Sequence, residues 1–231
     1  MDRTQQFLNR FNELEQFLRD ETNSKREVPF GSLIGRASQQ NAAVRRYERD
    51  LREFADLRNA IVHEHPRGHV IADIRKEALD EFSLMVDQIM APERVYPLFR
   101  REIHVYKEDE PLTRAVKDLW ESGHSQIIVR VDKMLTLLSS QGITRWLGSQ
   151  VNGQAVDLAD ASVGDALTFE EEGGIAFLSR DAPVDEAREL FLSFPTRHSQ
   201  RLRAVVITEN GRPIEAPLGM ITASDLVELN S

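Results

Sequence analysis

Cysteine is absent from this 231-residue chain. Its absence excludes disulfides, thiolate metal sites and a cysteine nucleophile, and fits a reducing compartment. Long apolar runs are absent too: no stretch approaches the roughly 20 residues that a membrane-spanning helix needs. The opening residues MDRTQQFLNR are polar and carry charges of both signs, unlike a secretory leader. The expectation is a cytoplasmic chain that does not enter a membrane. Positive charge is in deficit, with 29 Lys and Arg against 38 Asp and Glu and a net charge of −9. That balance argues against broad, non-specific nucleic-acid binding. The deficit is uneven: residues 1–90 carry −2, and residues 91–231 carry −7.

What is present is ordinary globular material. The length suffices for one large domain or two small ones, each with its own core, and 41% of residues are hydrophobic.

Residues 1–90 read as all helix. Phe7, Leu8, Phe11, Leu14 and Leu18 keep the spacing of one buried helical face. Residues 21–31 read as a connection, followed by a short helix near residues 32–39 with Ser32 as its N-cap. Val44, Tyr47, Leu51, Phe54, Leu57, Ile61 and Val62 predict one long helix, ended by His65-Pro66-Arg67-Gly68. Ile71, Ile74, Ala78, Phe82, Met85, Val86 and Ile89 predict another, and Ala91-Pro92 closes the region. Three long helices and a short one are enough for a bundle. Arg45, Arg46, Arg49, Arg52 and Arg58 run along the long helix, interleaved with Glu48, Asp50, Glu53 and Asp56. A solvated face laced with i,i+3 and i,i+4 ion pairs is the plainer reading; a phosphate-tracking stripe is the other.

The second half changes character. Short runs rich in β-branched residues predict strands at 103–106, 126–131, 175–178 and 204–208, with helices at 112–122 and 184–194. The expected fold class is therefore α+β. There is an internal repeat. Asp109-Glu110-Pro111-Leu112-Thr113-Arg114-Ala115 matches Asp181-Ala182-Pro183-Val184-Asp185-Glu186-Ala187 at an offset of 72. Ile127-Ile128-Val129 matches Val205-Val206-Ile207 at an offset of 78, and the same offset pairs Thr144 with Thr222. The difference of 6 places an insertion around residues 193–200. Each unit reads strand, Pro-initiated helix, strand, strand, helix, and the prolines suit a first helical turn.

Asp-x-Pro-(Leu/Val)-x-x-Ala in both copies, Gly123-His124-Ser125-Gln126-Ile127-Ile128-Val129 and Leu218-Gly219-Met220-Ile221-Thr222-Ala223-Ser224-Asp225-Leu226 resemble a tandem pair of CBS domains over residues 92–231. Copy one would span about 92–149 and copy two about 160–231. In that family, the Thr and Asp of a Gly-(apolar)-(apolar)-Thr-x-x-Asp segment bind adenine nucleotides. The resemblance thus makes Thr222 and Asp225 nucleotide-binding residues, for AMP, ADP, ATP or a relative acting as a regulatory ligand, with no cofactor required. The chemistry fits: a carboxylate accepts both hydroxyls of a ribose, and a hydroxyl beside helix N-terminal N–H groups can hold a phosphate. Simple capping by Thr222 or Ser224, with Asp225 complementing the helix dipole, is the alternative. Matched through Thr144, copy one puts Leu147 where the Asp would be and Gln141 at the glycine, so at most one well-formed site is expected. Glu170-Glu171-Glu172 would repel a polyphosphate if it faced the cleft, favouring a mononucleotide or a nucleoside.

Arg58-Asn59-Ala60-Ile61-Val62-His63 resembles the Arg-(polar)-x-x-x-His motif of HEPN domains over residues 1–90. That resemblance implies a dimeric helical domain, in many members a metal-independent ribonuclease with RNA as partner. Asn59 and His63 are four residues apart and share a helical face. His63 would move the proton of an attacking 2′-hydroxyl, Arg58 would neutralise the phosphorane, and Asn59 would position the phosphate or the imidazole. A dipole partner at a helix C-terminus is the other reading of His63 and His65. His63-Glu64-His65 is not read as a metal site, because residues i and i+2 diverge on a helix and no third ligand is evident. Together the two halves suggest a regulatory homodimer in which nucleotide binding controls a helical domain that cleaves RNA. The alternative is a non-enzymatic nucleotide-sensing dimer or interaction module.

Overall fold

A computed structural model of the chain describes residues 2–62, 73–151, 156, 158–171, 173–193 and 201–229. Two compact units divide it: Met1–Glu93 with Pro183–Glu186, and Arg94–Ala182 with Ala187–Ser231. The fold class is α+β, a helical region followed by two small mixed sheets. No helix among the described residues is long and apolar enough to cross a membrane.

The helical unit holds α1 (Arg3–Glu21), α2 (Phe30–Ala37), α3 (Ala42–Arg46), α4 (Glu48–Val62) and α5 (Lys76–Met90). Helix α1 buries Phe7, Phe11, Leu14 and Leu18 on one side, as their spacing predicts. The core they enter is aromatic: Phe82 of α5 lies 4.9 Å from Phe7 and 4.8 Å from Phe54, ring centre to ring centre. Two expectations need correction. Helix α2 begins two residues before Ser32, with Pro29 as its N-cap residue in extended conformation (φ −61°, ψ 148°), its carbonyl accepting from the Ser32 and Leu33 N–H groups at 2.9 and 3.1 Å. The expected continuous helix breaks at Tyr47 (φ −98°, ψ 11°). There the Tyr47 hydroxyl bonds the Gln88 side chain, and Asn41 Oδ1 caps α3 by accepting from the Val44 N–H at 3.1 Å. The arginine run follows the ion-pair reading in part, with Arg49–Glu53 at 3.0 Å and Arg52–Glu48 at 2.7 Å.

The second unit opens with a short helix, α6 (Val95–Leu98). One repeat is β1 (Val105–Lys107), α7 (Leu112–Ser122), β2 (Gln126–Val131), β3 (Met134–Ser139) and α8 (Ser140–Gln150). After α9 (Val163–Leu167) comes the other: β4 (Ile175–Ser179), α10 (Val184–Ser193), β5 (Ala204–Thr208), β6 (Gly219–Ile221) and α11 (Ala223–Glu228). Both sheets have the same plan, a parallel pair across the helical crossover and then an antiparallel hairpin. Pro111 is the N-cap residue of α7, one place earlier than expected. Inward residues of both sheets, among them Ile128, Leu137, Val206 and Met220, share one core cluster. A separate cluster behind the first sheet joins Leu112, Ala115, Leu138, Ile143 and Trp146 to Val163 and Ala166 of α9.

Strand register corrects the alignment of the repeats. Val129 pairs with Thr136 in the first sheet, and its counterpart Ile207 pairs with Gly219 in the second. Three residues past Thr136 is Ser139, the N-cap of α8; three past Gly219 is Thr222, the N-cap of α11. The counterpart of Thr222 is therefore Ser139 and that of Asp225 is Gly142. Thr144 instead lies within α8, its hydroxyl donating to Ser140 O at 2.8 Å. The longer β5–β6 connection accounts for the slip, since the β2–β3 turn is only Asp132-Lys133.

Candidate functional site

Gly219 sets the geometry of the candidate site. Residues 99–101 run along the edge of β6, with a bridge between Arg100 and Gly219. A Cβ on Gly219 would overlap Phe99 O, so only glycine admits that backbone. The approach places Arg101 Nη2 2.6 Å from Asp225 Oδ1. The other carboxylate oxygen, Oδ2, accepts from the Thr222 N–H at 2.6 Å and from the Thr222 hydroxyl at 2.7 Å. Burial, the largest single influence, pushes the Asp225 pKa up; the hydrogen bonds from Thr222 and Arg101 together outweigh it and hold it below the usual aspartate value. Thr222 and Asp225 thus come together at the start of α11, where they form the capping contact that the alternative reading anticipates.

Arg101 also lines an open cleft of about 520 Å³. Its walls include Ile103, His104, Tyr106, Leu119, His124, Ile128 and Met220, with carboxylates from Glu102, Asp118 and Glu121. His104 packs edge-on against Tyr106, ring centres 4.4 Å apart. The Tyr106 hydroxyl bonds the Asp118 carboxylate; burial, and then that anionic acceptor, drives the phenol pKa well above its ordinary value. The cleft is of a size for a small molecule and is lined by apolar and polar side chains together. Sequence reasoning missed Arg101, His104, Tyr106 and His124, because they precede or face the motif from another repeat. The glycine of the motif was the available signal, since it implies a close backbone neighbour.

A cavity of about 120 Å³ lies beside Thr136, Leu137, Gly174 and Ile175, and Glu170 and Glu171 line it.

In the helical unit, Arg58 and Asn59 lie in the last part of α4, beside a cavity of about 550 Å³ that Phe11, Phe30 and Arg52 also line. The Arg58 guanidinium sits 5.8 Å from the centre of the Phe11 ring. Its Nε is buried without a hydrogen-bond partner among the described residues, and Nη1 stands 3.4 Å from Asn59 Oδ1. His63, His65 and Pro66 lie outside the described residues, as do Glu172 and most of the expected insertion near 193–200.

Residues 174–231 match the family model for the CBS domain. No curated protein matches the chain. Solved structures similar to this chain include a CBS domain-containing protein of unknown function from Kribbella flavida DSM 17836, at 21% identity over 57% of this chain and 96% of that one, with a TM-score of 0.44. Another, from Bacillus anthracis str. Ames Ancestor, is 18% identical over 60% and 92%, with a TM-score of 0.42. The CBS domain pair of protein MJ0100, solved in complex with 5′-methylthioadenosine and S-adenosyl-L-methionine, is 13% identical over 60% and 100%, with a TM-score of 0.43.

Proposed function

We propose that this chain, whose residues 174–231 form a CBS domain, is a regulatory homodimer that binds an adenosine-containing ligand in the 520 Å³ cleft. The observation that carries this reading is the Asp225 carboxylate bonded by Thr222 and by Arg101, the residue that also lines that cleft. On ligand binding, a ribose diol takes the place of the Arg101 guanidinium at Oδ1. The apolar side chains of Ile103, Ile128 and Met220 receive the base. Glu102, Asp118 and Glu121 on the walls favour a nucleoside or mononucleotide over a triphosphate.

Thermal melting of the full chain against adenosine, AMP, ADP and ATP tests this. A ligand that binds only the folded state raises stability by about 2.7 kcal/mol at one hundred times its Kd. The shift is expected with adenosine or AMP, and is expected to vanish in Asp225→Ala. A panel with no shift overturns the reading.

A second reading concerns the helical unit and is supported by Arg58. A guanidinium with a buried, unpartnered Nε beside a cavity suits an incoming phosphate. This supports a HEPN-like ribonuclease in which Arg58, Asn59 and His63 act on RNA under control of the CBS region. Purified protein would then cut RNA in EDTA, and His63→Ala would stop it. Unchanged cutting by that variant removes His63 from the mechanism.

A further inference from the structure

We propose that Glu170 is a built-in occupant of the first repeat's ligand cleft, standing in for the carboxylate that Gly142 cannot supply and closing that cleft to a nucleoside. The ligand part of this inference rests on the function proposed above; the capping part does not.

The two helix starts make the same contacts with carboxylates of different origin. In the second repeat, Asp225 Oδ2 accepts from the N–H and hydroxyl of Thr222 at 2.6 and 2.7 Å. In the first, Glu170 Oε2 accepts from the N–H and hydroxyl of Ser139, again at 2.6 and 2.7 Å. Register makes Ser139 the counterpart of Thr222 and Gly142 that of Asp225. A Cβ on Gly142 would overlap Glu170 Oε2, so the two acids compete for one volume. The Glu170 side chain is 8% exposed, with Arg203 Nε 3.9 Å from its other oxygen. Burial of that depth belongs to a placed group rather than a surface acid.

The placement is built from the chain between the repeats. Helix α9 starts with a reciprocal Ser162–Asp165 capping box. It is tied to the first repeat through Val163 N–H to Glu110 O at 2.9 Å and Leu112 N–H to Ala161 O at 2.8 Å. Val163 and Ala166 are fully buried against α7 and α8. The turn after α9, with the Glu170 N–H donating to Leu167 O at 3.0 Å, delivers the side chain. Arg145 of α8 holds the next residue, Glu171, at 2.5 Å. Among the described residues, the cavity that Glu170 and Glu171 line there is about 120 Å³.

The test is a double-mutant cycle with a binding measurement. Glu170→Ala removes the cap, and Gly142→Asp forces two carboxylates together; each alone lowers Tm, by about 4 °C for each kcal/mol lost in a unit of this size. The double variant is expected to be clearly more stable than the sum of the two losses, because the carboxylate introduced by Gly142→Asp then caps Ser139 as Asp225 caps Thr222. Additive losses overturn the proposal. Calorimetry with adenosine is expected to give one equivalent per wild-type chain and two in the double variant. One equivalent in a coupled double variant overturns the occupant role, leaving Glu170 a cap only. If adenosine binds neither protein, the adenosine reading fails, and the stability cycle alone decides the capping part.

Discussion

Arg101 and Asp225, 124 residues apart in the chain, meet at 2.6 Å because Gly219 lets the backbone before Arg101 lie against β6. Their side chains are 36% and 20% exposed, so solvent screening limits the pair to roughly 0.5–1 kcal/mol. A ribose that takes Oδ1 has to displace this guanidinium. Arg101→Met is therefore expected to tighten adenosine binding by about 2–5-fold while costing little stability. Weaker binding in calorimetry would instead make Arg101 a ligand contact.

The same pair predicts a pH dependence. The folded-state pKa of Asp225 lies below its ordinary value of 3.8. Its contribution to stability is therefore present above 3.8 and is lost as pH falls through the lower folded value. Chemical denaturation at pH 5 and pH 3 should show a smaller loss for Asp225→Asn than for the wild type. Equal losses would mean that Asp225 titrates alike in folded and unfolded chains.

Gly219→Ala tests the backbone approach directly. The added methyl overlaps Phe99 O, a backbone atom that cannot rotate away. Overpacking of this kind costs typically about 1–3 kcal/mol. A matching fall in denaturation free energy is expected, together with loss of the Asp225→Ala sensitivity of ligand binding. A silent substitution would show that residues 99–101 can move off the strand.

In the connection between β5 and β6, Glu215 accepts from the Asn210 N–H at 2.7 Å and from its side-chain amide at 2.8 Å. These bonds, the backbone one foremost, lower its pKa to about 2. The linked stability is present above 4.5 and is lost as pH falls through about 2. A carboxyl titration by NMR should place the Glu215 midpoint near the lower figure; a midpoint near 4.5 would mean that the loop is open in solution.

Phe82 lies fully buried among Phe7, Phe11 and Phe54. Phe82→Ala is expected to cost about 3–5 kcal/mol, read by denaturation of the full chain. A loss under about 1 kcal/mol would contradict the packing of α5 on α1.

Periodicity carried the helices well where one face is apolar: Phe7, Phe11, Leu14 and Leu18 are all buried. It did not reveal the break at Tyr47, since that residue fits the apolar spacing and its bond to Gln88 depends on α5. The repeat was legible through its Asp-x-Pro segments. Its final strand was not, because the β5–β6 loop is longer than the Asp132-Lys133 turn and a loop insertion leaves no pattern behind. Matching by identity then chose Thr144, whereas the chemistry of an N-cap treats Ser139 and Thr222 as equivalents. Thr222 and Asp225 were visible as a local pair. Glu170 was legible only as part of an acidic run that could face a cleft, and not as a cap, since it reaches Ser139 from 31 residues along the chain.

If adenosine takes the roomy cleft and Glu170 fills the other, as proposed, the form of the signal follows. Two equal clefts in one unit can couple and sharpen a response. Under the function proposed above, Glu170 in the first repeat's cleft leaves this unit a single saturable step, a plain hyperbola against ligand concentration. Any steeper dose-response must then come from association between chains, and would appear as a Hill slope that changes with protein concentration.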